Sequence, residues 1–200
     1  DDAADDIVAG DLLVNVGAQV GQTGRRQQNI EIGVDRLALQ AGGAVSLLGS
    51  RALTIDSLSQ QFGRIDAIGR TPLGNPSLGG GITKSTQALS GLQAGSASQA
   101  AGAVLRLTQG GLTLLADVAV SGEALLLAVD QTGQMLRLGD QVKVSSAGGV
   151  LSLVSGGGLA LGAASRVDSV GGDIVIHARG ASLVMAATAE VNSAGGNIRL

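Results

Sequence analysis

Along much of the chain, apolar residues alternate with polar or small ones in short runs that stop at a glycine-rich corner and then start again. Residues 171–200 read GGDIVIHARGASLVMAATAEVNSAGGNIRL, and the stretch before them, GGVLSLVSGGGLALGAASRVDSV, has the same layout. Runs opening with AVSL at 44, VLRL at 104, ALLL at 124, VLSL at 150 and DIVI at 173 form five copies, and NIRL begins a sixth. The first inward positions read as Val45, Leu105, Leu125, Leu151, Ile174 and Ile198, and the second as Leu47, Leu107, Leu127, Leu153, Ile176 and Leu200. From Leu105 onward the steps are 20, 26, 23 and 24 residues. A period in the low twenties marks a solenoid.

Each copy carries a second alternating run, with Leu53 and Ile55, Leu112 and Leu114, Leu136 and Leu138, Leu159 and Leu161, and Leu183 and Met185. A looser third run holds Val118 and Val120, Val142 and Val144, Val167, and Val191. Period-two alternation means half-buried strands. Three short strands in a coil of about 20–26 residues leave room only for tight corners, which pairs such as Gly148-Gly149 and Gly171-Gly172 supply. The expected fold is therefore an all-β, right-handed parallel β-helix, the hand following from the general preference of parallel connections. One coil cannot bury its own apolar face, so like residues stack on like. A closed antiparallel sandwich also suits alternating runs with glycine turns. The recurrence of apolar positions on the same three faces argues against it, because hairpins do not require it.

The pattern divides the chain into irregular N-terminal coils over 1–56, an excursion over 57–101 and regular coils over 102–200. In the first part, alternation surrounds Leu13 and Val16, Ile30 and Ile32, and Leu37 and Leu39, and GQTGRRQQ between them is expected as an exposed loop. The excursion holds Phe62, both prolines (Pro72 and Pro76), and Arg64, Arg70 and Lys84. A structureless loop of that length is uncommon in compact folds, so a hairpin with strands near GRIDAIG and GGITKS is expected, lying over the coil wall. Arg64, Arg70 and Lys84 are its candidate ligand-contact residues.

Composition removes several classes of function. With no cysteine there is no disulfide, thiolate metal site or thiol nucleophile. A net charge of -3 and a single aromatic residue, Phe62, leave neither a basic surface nor stacking platforms, so nucleic acid is not an expected partner. No apolar run reaches the ~20 residues of a membrane-spanning helix. The opening DDAADDIVAG lacks the features of a signal peptide, and the sequence reads as a piece of a longer chain.

The run NIEIGVDRLALQAGGAVSLLGSRALTIDSLS, the polar segment ending ALSGL, then GAVLRLTQGGLTL and the later glycine-cornered coils resemble the repeat regions of large bacterial surface and secreted proteins of the filamentous-haemagglutinin-like kind. The resemblance spans about Asn29 to Leu200 and is one of pattern. It implies an extracellular or cell-surface rod that extends from the cell and presents binding surfaces. Partners in keeping with that role are a host-cell or matrix receptor, a glycan or a neighbouring surface protein. Open strand edges and the outward apolar residues Leu126, Val175 and Val184 add end-to-end or lateral self-association.

No catalytic motif is found: GxSxG, Walker A, HExxH and a dinucleotide-binding GxGxxG are all absent, and no catalytic residue is assigned. His177 has no second histidine or cysteine with which to share a metal and reads as a solvated corner residue. Some β-helices are polysaccharide lyases or hydrolases with acids clustered on one wall, but Asp117, Asp130, Asp140, Asp168 and Asp173 are scattered. Asp1, Asp2, Asp5 and Asp6 could bind a hard cation weakly, though such a run is more often a solvated end. No metal or other cofactor is expected. The reading is a non-enzymatic structural or adhesive segment, with a carbohydrate-active enzyme and a self-assembling filament as the alternatives.

Overall fold

The computed structural model describes residues 4–22, 28–65 and 82–200, and of residues 62–65 and 82–84 the backbone alone. These residues contain no helix and form a parallel β-solenoid of about seven turns. The first turn carries β1 (Ile7–Val16) and the second β2 (Ile30–Ala41). The third has β3 (Val45–Gly49) and β4 (Leu53–Ile55), then a hairpin of β5 (Ser57–Ile65) and β6 (Ile82–Ser90), and closes with β7 (Leu92–Ala94). Next come β8 (Ala103–Leu107), β9 (Leu112–Leu114) and β10 (Val118–Val120), then β11 (Leu125–Val129), β12 (Leu136–Leu138) and β13 (Lys143–Ser146). Two further turns are β14 (Leu151–Ser155), β15 (Leu159–Leu161) and β16 (Arg166–Val170), and β17 (Ile174–Ala178), β18 (Leu183–Met185) and β19 (Glu190–Ala194); β20 (Ile198–Arg199) follows.

Strands stack in three parallel ladders, one for each run of the repeat. β3, β8, β11, β14, β17 and β20 make the first, β4, β9, β12, β15 and β18 the second, and β7, β10, β13, β16 and β19 the third. β2 serves all three at once, with Ile30 opposite Leu47, Leu37 opposite Ile55 and Leu39 opposite Leu92. β1 follows it in register, so Leu12, Val14 and Val16 turn toward the core, and Leu13 stands opposite Ala38 on the wall.

The core is a set of aliphatic columns. Leu47, Leu105, Leu127, Leu153 and Ile176 form one, and Leu53, Leu112, Leu136, Leu159 and Leu183 another. Stacking identical or similar branched side chains at strand spacing fills such a column without aromatic anchors. The third ladder holds Leu92, Val118, Val144, Val167 and Val191 in line, while Val120 stands opposite Ser146, and Val142 lies just before β13.

One register differs from the expectation. Ala103, not Leu105, occupies the first inward position of its coil, opposite Val45 and Leu125. Leu105 therefore aligns with Leu47 and Leu127, and Leu107 with Gly49 and Val129. A pattern reading favours the first branched residue, yet a buried alanine serves here. Leu107 in turn fits because Gly49 has no Cβ where the Leu107 side chain lies. The outward residue of this coil in the first column is Val104 rather than Arg106, between Ser46 and Leu126.

Within the span 57–101, antiparallel pairing joins β5 to β6 from Ser57 opposite Ser90 to Ile65 opposite Ile82. Leu92–Ala94 then rejoins the third ladder between β2 and β10. The ribbon is thus inserted at one corner of an otherwise continuous coil.

Candidate functional site

Asp56 and Gly91 close the base of the ribbon, the Gly91 N–H donating to the Asp56 carbonyl at 3.1 Å. The Asp56 N–H donates to the carbonyl of Leu37 and the Leu39 N–H to that of Gly91, fastening both legs to β2. Gly91 adopts φ +75, and a Cβ there would collide with the Asp117 backbone of the next coil, so glycine is required on both counts. Leu58 is buried, and Leu89 and the paired Gln60 and Gln87 are half-buried, while Ser57, Ser59, Gln61, Thr86, Ala88 and Ser90 are exposed. Ala38 points outward between the core residues Leu37 and Leu39, yet it is fully covered. The ribbon therefore lies on the wall beside β1 and β2, with one face inward.

Of the three candidate contact residues, backbone register places Arg64 opposite Thr83 and Lys84 opposite Gly63, which brings both to one stretch of the ribbon. Arg70 lies outside the described residues, as do Arg25 and Arg26 of the expected loop.

Beside the ribbon base runs a column of charge. Arg36 makes a two-pronged contact with Asp11 of the preceding coil (Nε to Oδ1 2.8 Å, Nη2 to Oδ2 2.6 Å) and a longer one with Asp56 at 3.5 Å. Hydrogen bonding from the guanidinium holds the Asp11 carboxyl below its ordinary value, and the same contact raises Arg36. Arg51 joins Asp35 at 3.5 Å and donates to the carbonyls of Ala9 and Gly33, tying three coils together.

The scattered wall carboxylates each have a partner one coil away. Asp117 accepts the Lys143 N–H at 2.8 Å, Asp140 the Ala163 N–H at 2.8 Å and Asp173 the Asn197 N–H at 2.7 Å. Asp130 pairs with Arg106, and Asp168 with Lys143 at 3.1 Å. Of the acidic opening, Asp5 accepts from the Ser50 hydroxyl and Asp6 from the Glu31 N–H, and Asp1 and Asp2 lie outside the described residues. Among the described residues no group of three or more His, Cys, Asp or Glu is placed to hold a metal ion. His177 is exposed on β17, opposite Val154.

A serine element at the corners has no counterpart in the pattern reading. Ser146, Ser169 and Ser193 stack in register, each three residues before the second glycine of a Gly-Gly pair. Ser169 donates to the Gly149 carbonyl at 3.3 Å and Ser193 to that of Gly172 at 2.9 Å, in each case one coil back. The signal was present as the recurring Ser-x-Gly-Gly at 146, 169 and 193.

Two recesses lie among the described residues. An aliphatic cavity of about 210 Å³ between β1 and β2 is lined by Ile7, Leu12, Val14 and Leu39, with Gln19 its one polar side chain among the described residues. An open groove of about 340 Å³ runs along Thr113, Arg137 and Asp140, whose carboxylate the Ala163 N–H already engages.

Fold and site together define a β-solenoid with an inserted wall ribbon. No protein-family model, curated protein or solved structure matches the chain. Among the described residues no helix is long and apolar enough to cross a membrane.

Proposed function

We propose that the chain is a non-enzymatic segment of a large bacterial cell-surface or secreted protein of the filamentous-haemagglutinin-like kind. It serves as a stiff β-helical stalk that presents the β5–β6 ribbon to a host-cell or matrix receptor, a glycan or a neighbouring surface protein. The observation that carries this reading is the use of the wall carboxylates. Asp117, Asp130, Asp140, Asp168 and Asp173 are each engaged by an adjacent coil, so they brace the rod. Glycoside hydrolysis needs instead a pair of carboxyl groups facing one bound sugar. Continuous backbone ladders with every coil cross-linked to the next resist bending, which suits a spacer.

The test compares the intact chain with a form in which residues 57–90 are replaced by a short Gly-Ser link. Asp56 and Gly91 are already hydrogen-bonded to each other, so the link closes without disturbing the coil. Expected is binding of the intact chain to host-cell or matrix-coated surfaces, its loss in the shortened form, and no fall in viscosity when polysaccharides are incubated with either. Depolymerisation of a polysaccharide by the intact chain contradicts the reading.

A further inference from the structure

We propose that the groove beside Arg137 binds a small zwitterion, a molecule of about amino-acid size that carries both a carboxylate and an ammonium group. The inference goes beyond the stalk reading and does not involve the ribbon. The groove, of about 340 Å³, lies on the wall of β9, β12 and β15 and at the corner that follows them. That volume is at the small end of the ~300–1,000 Å³ usual for ligand sites, which favours a small molecule over a polymer segment. Elsewhere on the walls, Arg36, Arg51, Arg106, Lys143 and Arg166 each join an acid of an adjacent coil. Arg137 has no such neighbour, because its column places Thr113 one coil back and Ala160 one coil on. Among the described residues its guanidinium makes no ion pair, and its one hydrogen bond is to the weak acceptor Met135 Sδ at 3.3 Å. Arg179 and Arg199 also lack an ion pair among the described residues, but neither lines either recess.

Asp140 supplies the opposite charge in the same groove. Its Oδ1 accepts the Ala163 N–H, and among the described residues Oδ2 has no hydrogen bond and no ion pair, with Arg137 or any other cation. Cation and anion therefore share one recess without meeting each other. A ligand with only a carboxylate would face Asp140, and one with only an ammonium group would face Arg137. A molecule with both satisfies both, the guanidinium holding the carboxylate through charge-assisted bonds. The Thr113 hydroxyl, which has no partner among the described residues, adds a polar group beside Arg137. Gly162 keeps the recess open, since a Cβ there would stand 2.7 Å from Asp140 Oδ1. The same corner holds both non-glycine residues of positive φ among the described residues, Gln141 at +63 and Ala164 at +55, and strain of this kind gathers where a site must hold its shape.

The test titrates the whole ¹⁵N-labelled chain with glycine, β-alanine and γ-aminobutyrate, which hold the two charges progressively further apart. Propionate and propylamine, with one charge each, are the controls. Expected are saturable shifts of the Gly139, Gly162 and Ala163 amides and the Arg137 Nε–H with at least one of the amino acids. Binding should be about tenfold weaker for either control, and about tenfold weaker in Arg137→Gln and in Asp140→Asn, the loss of one charge-assisted contact. Both side chains are exposed, and an asparagine carbonyl still accepts the Ala163 N–H, so both variants should unfold at the temperature of the parent chain. If either variant unfolds, the ligand comparison on the parent chain decides alone. Absence of saturable shifts at tens of millimolar, equal binding of propionate or propylamine, undiminished binding by a folded variant, or a response centred away from this corner overturns the proposal. The stalk reading rests on ribbon-dependent surface binding and stands or falls separately.

Discussion

Ser146 and Gly149 close on each other across a corner: the serine hydroxyl lies 3.0 Å from the glycine carbonyl and accepts the glycine N–H at 3.1 Å. The same hydroxyl is 3.2 Å from the Glu123 carbonyl one coil back, so it fixes the shape of its own turn and joins it to its neighbour. The group is 1% exposed. Replacing it with alanine leaves a buried N–H and carbonyls short of a partner, at a cost of about 1–3 kcal/mol. Ser146→Ala should lower the unfolding free energy read from urea denaturation by that amount, whereas Ser152→Ala, at a half-buried outward position, should change it by less than about 0.5 kcal/mol. Equal effects would remove the corner serine from the account.

Gly171 and Gly172 share a corner but differ in kind. Gly171 has φ +87 with open space where a Cβ would stand, while a Cβ at Gly172 would run into the Gly149 carbonyl of the coil below. Gly171→Ala should cost about 1 kcal/mol through backbone strain alone. Gly172→Ala must also separate two coils, and should cost near the upper end of the about 1–3 kcal/mol of overpacking. Hydrogen exchange reads the difference directly: the second substitution should expose amides of β14 and β17, and the first should not.

Leu126 and Leu127 test the parity of a strand. Leu127 is fully buried in the column between Leu105 and Leu153, and Leu126 faces outward between Val104 and Ser152. Leu127→Ala should destabilise by about 2–5 kcal/mol. Leu126→Ala should cost about 1 kcal/mol or less. The reverse order in thermal unfolding would mean a register shifted by one residue.

Acid should act on the charge column beside the ribbon. The Arg36 guanidinium lowers the Asp11 carboxyl below its ordinary 3.8, so the contact is fully formed above about pH 4 and is lost as the pH falls through the lower folded value. In a carboxylate-resolved NMR titration, Arg36→Met should raise the Asp11 midpoint toward 3.8. An unmoved midpoint would show that the two groups do not meet in solution.

Much of this fold was legible because its unit repeats. Leu53, Leu112, Leu136 and Leu159 occupy like places in like runs, and a column needs nothing more than that. The register at Ala103 was harder to read, because a small residue carries little hydrophobic signal although the coil buries it fully. The base of the ribbon was harder still: Asp56 and Gly91 are distant in sequence, and their hydrogen bond arises only when the chain returns to the same corner. The wall carboxylates were visible as residues but not as partners, since each engages a backbone N–H or a basic side chain one coil away at a spacing that varies from turn to turn. Arg64 and Lys84 were chosen for their charge, whereas the ribbon that carries them is distinguished by the uncharged run of its two strands nearer the base.

The most direct test of the stacked coil uses spin labels at Gln40, Gln93 and Asn192. Gln40 and Gln93 stand opposite each other in adjacent turns although the whole ribbon separates them in sequence, and the line continues through Ala119, Ser145 and Asp168 to Asn192. At ~4.8 Å per turn, the Gln93 to Asn192 separation should be about 19 Å and the Gln40 to Asn192 separation about 24 Å. Distances that differ by one strand spacing in this order establish the solenoid with its ribbon inserted at a corner. A Gln40 to Asn192 distance shorter than that from Gln93, or one tens of ångströms longer, contradicts it.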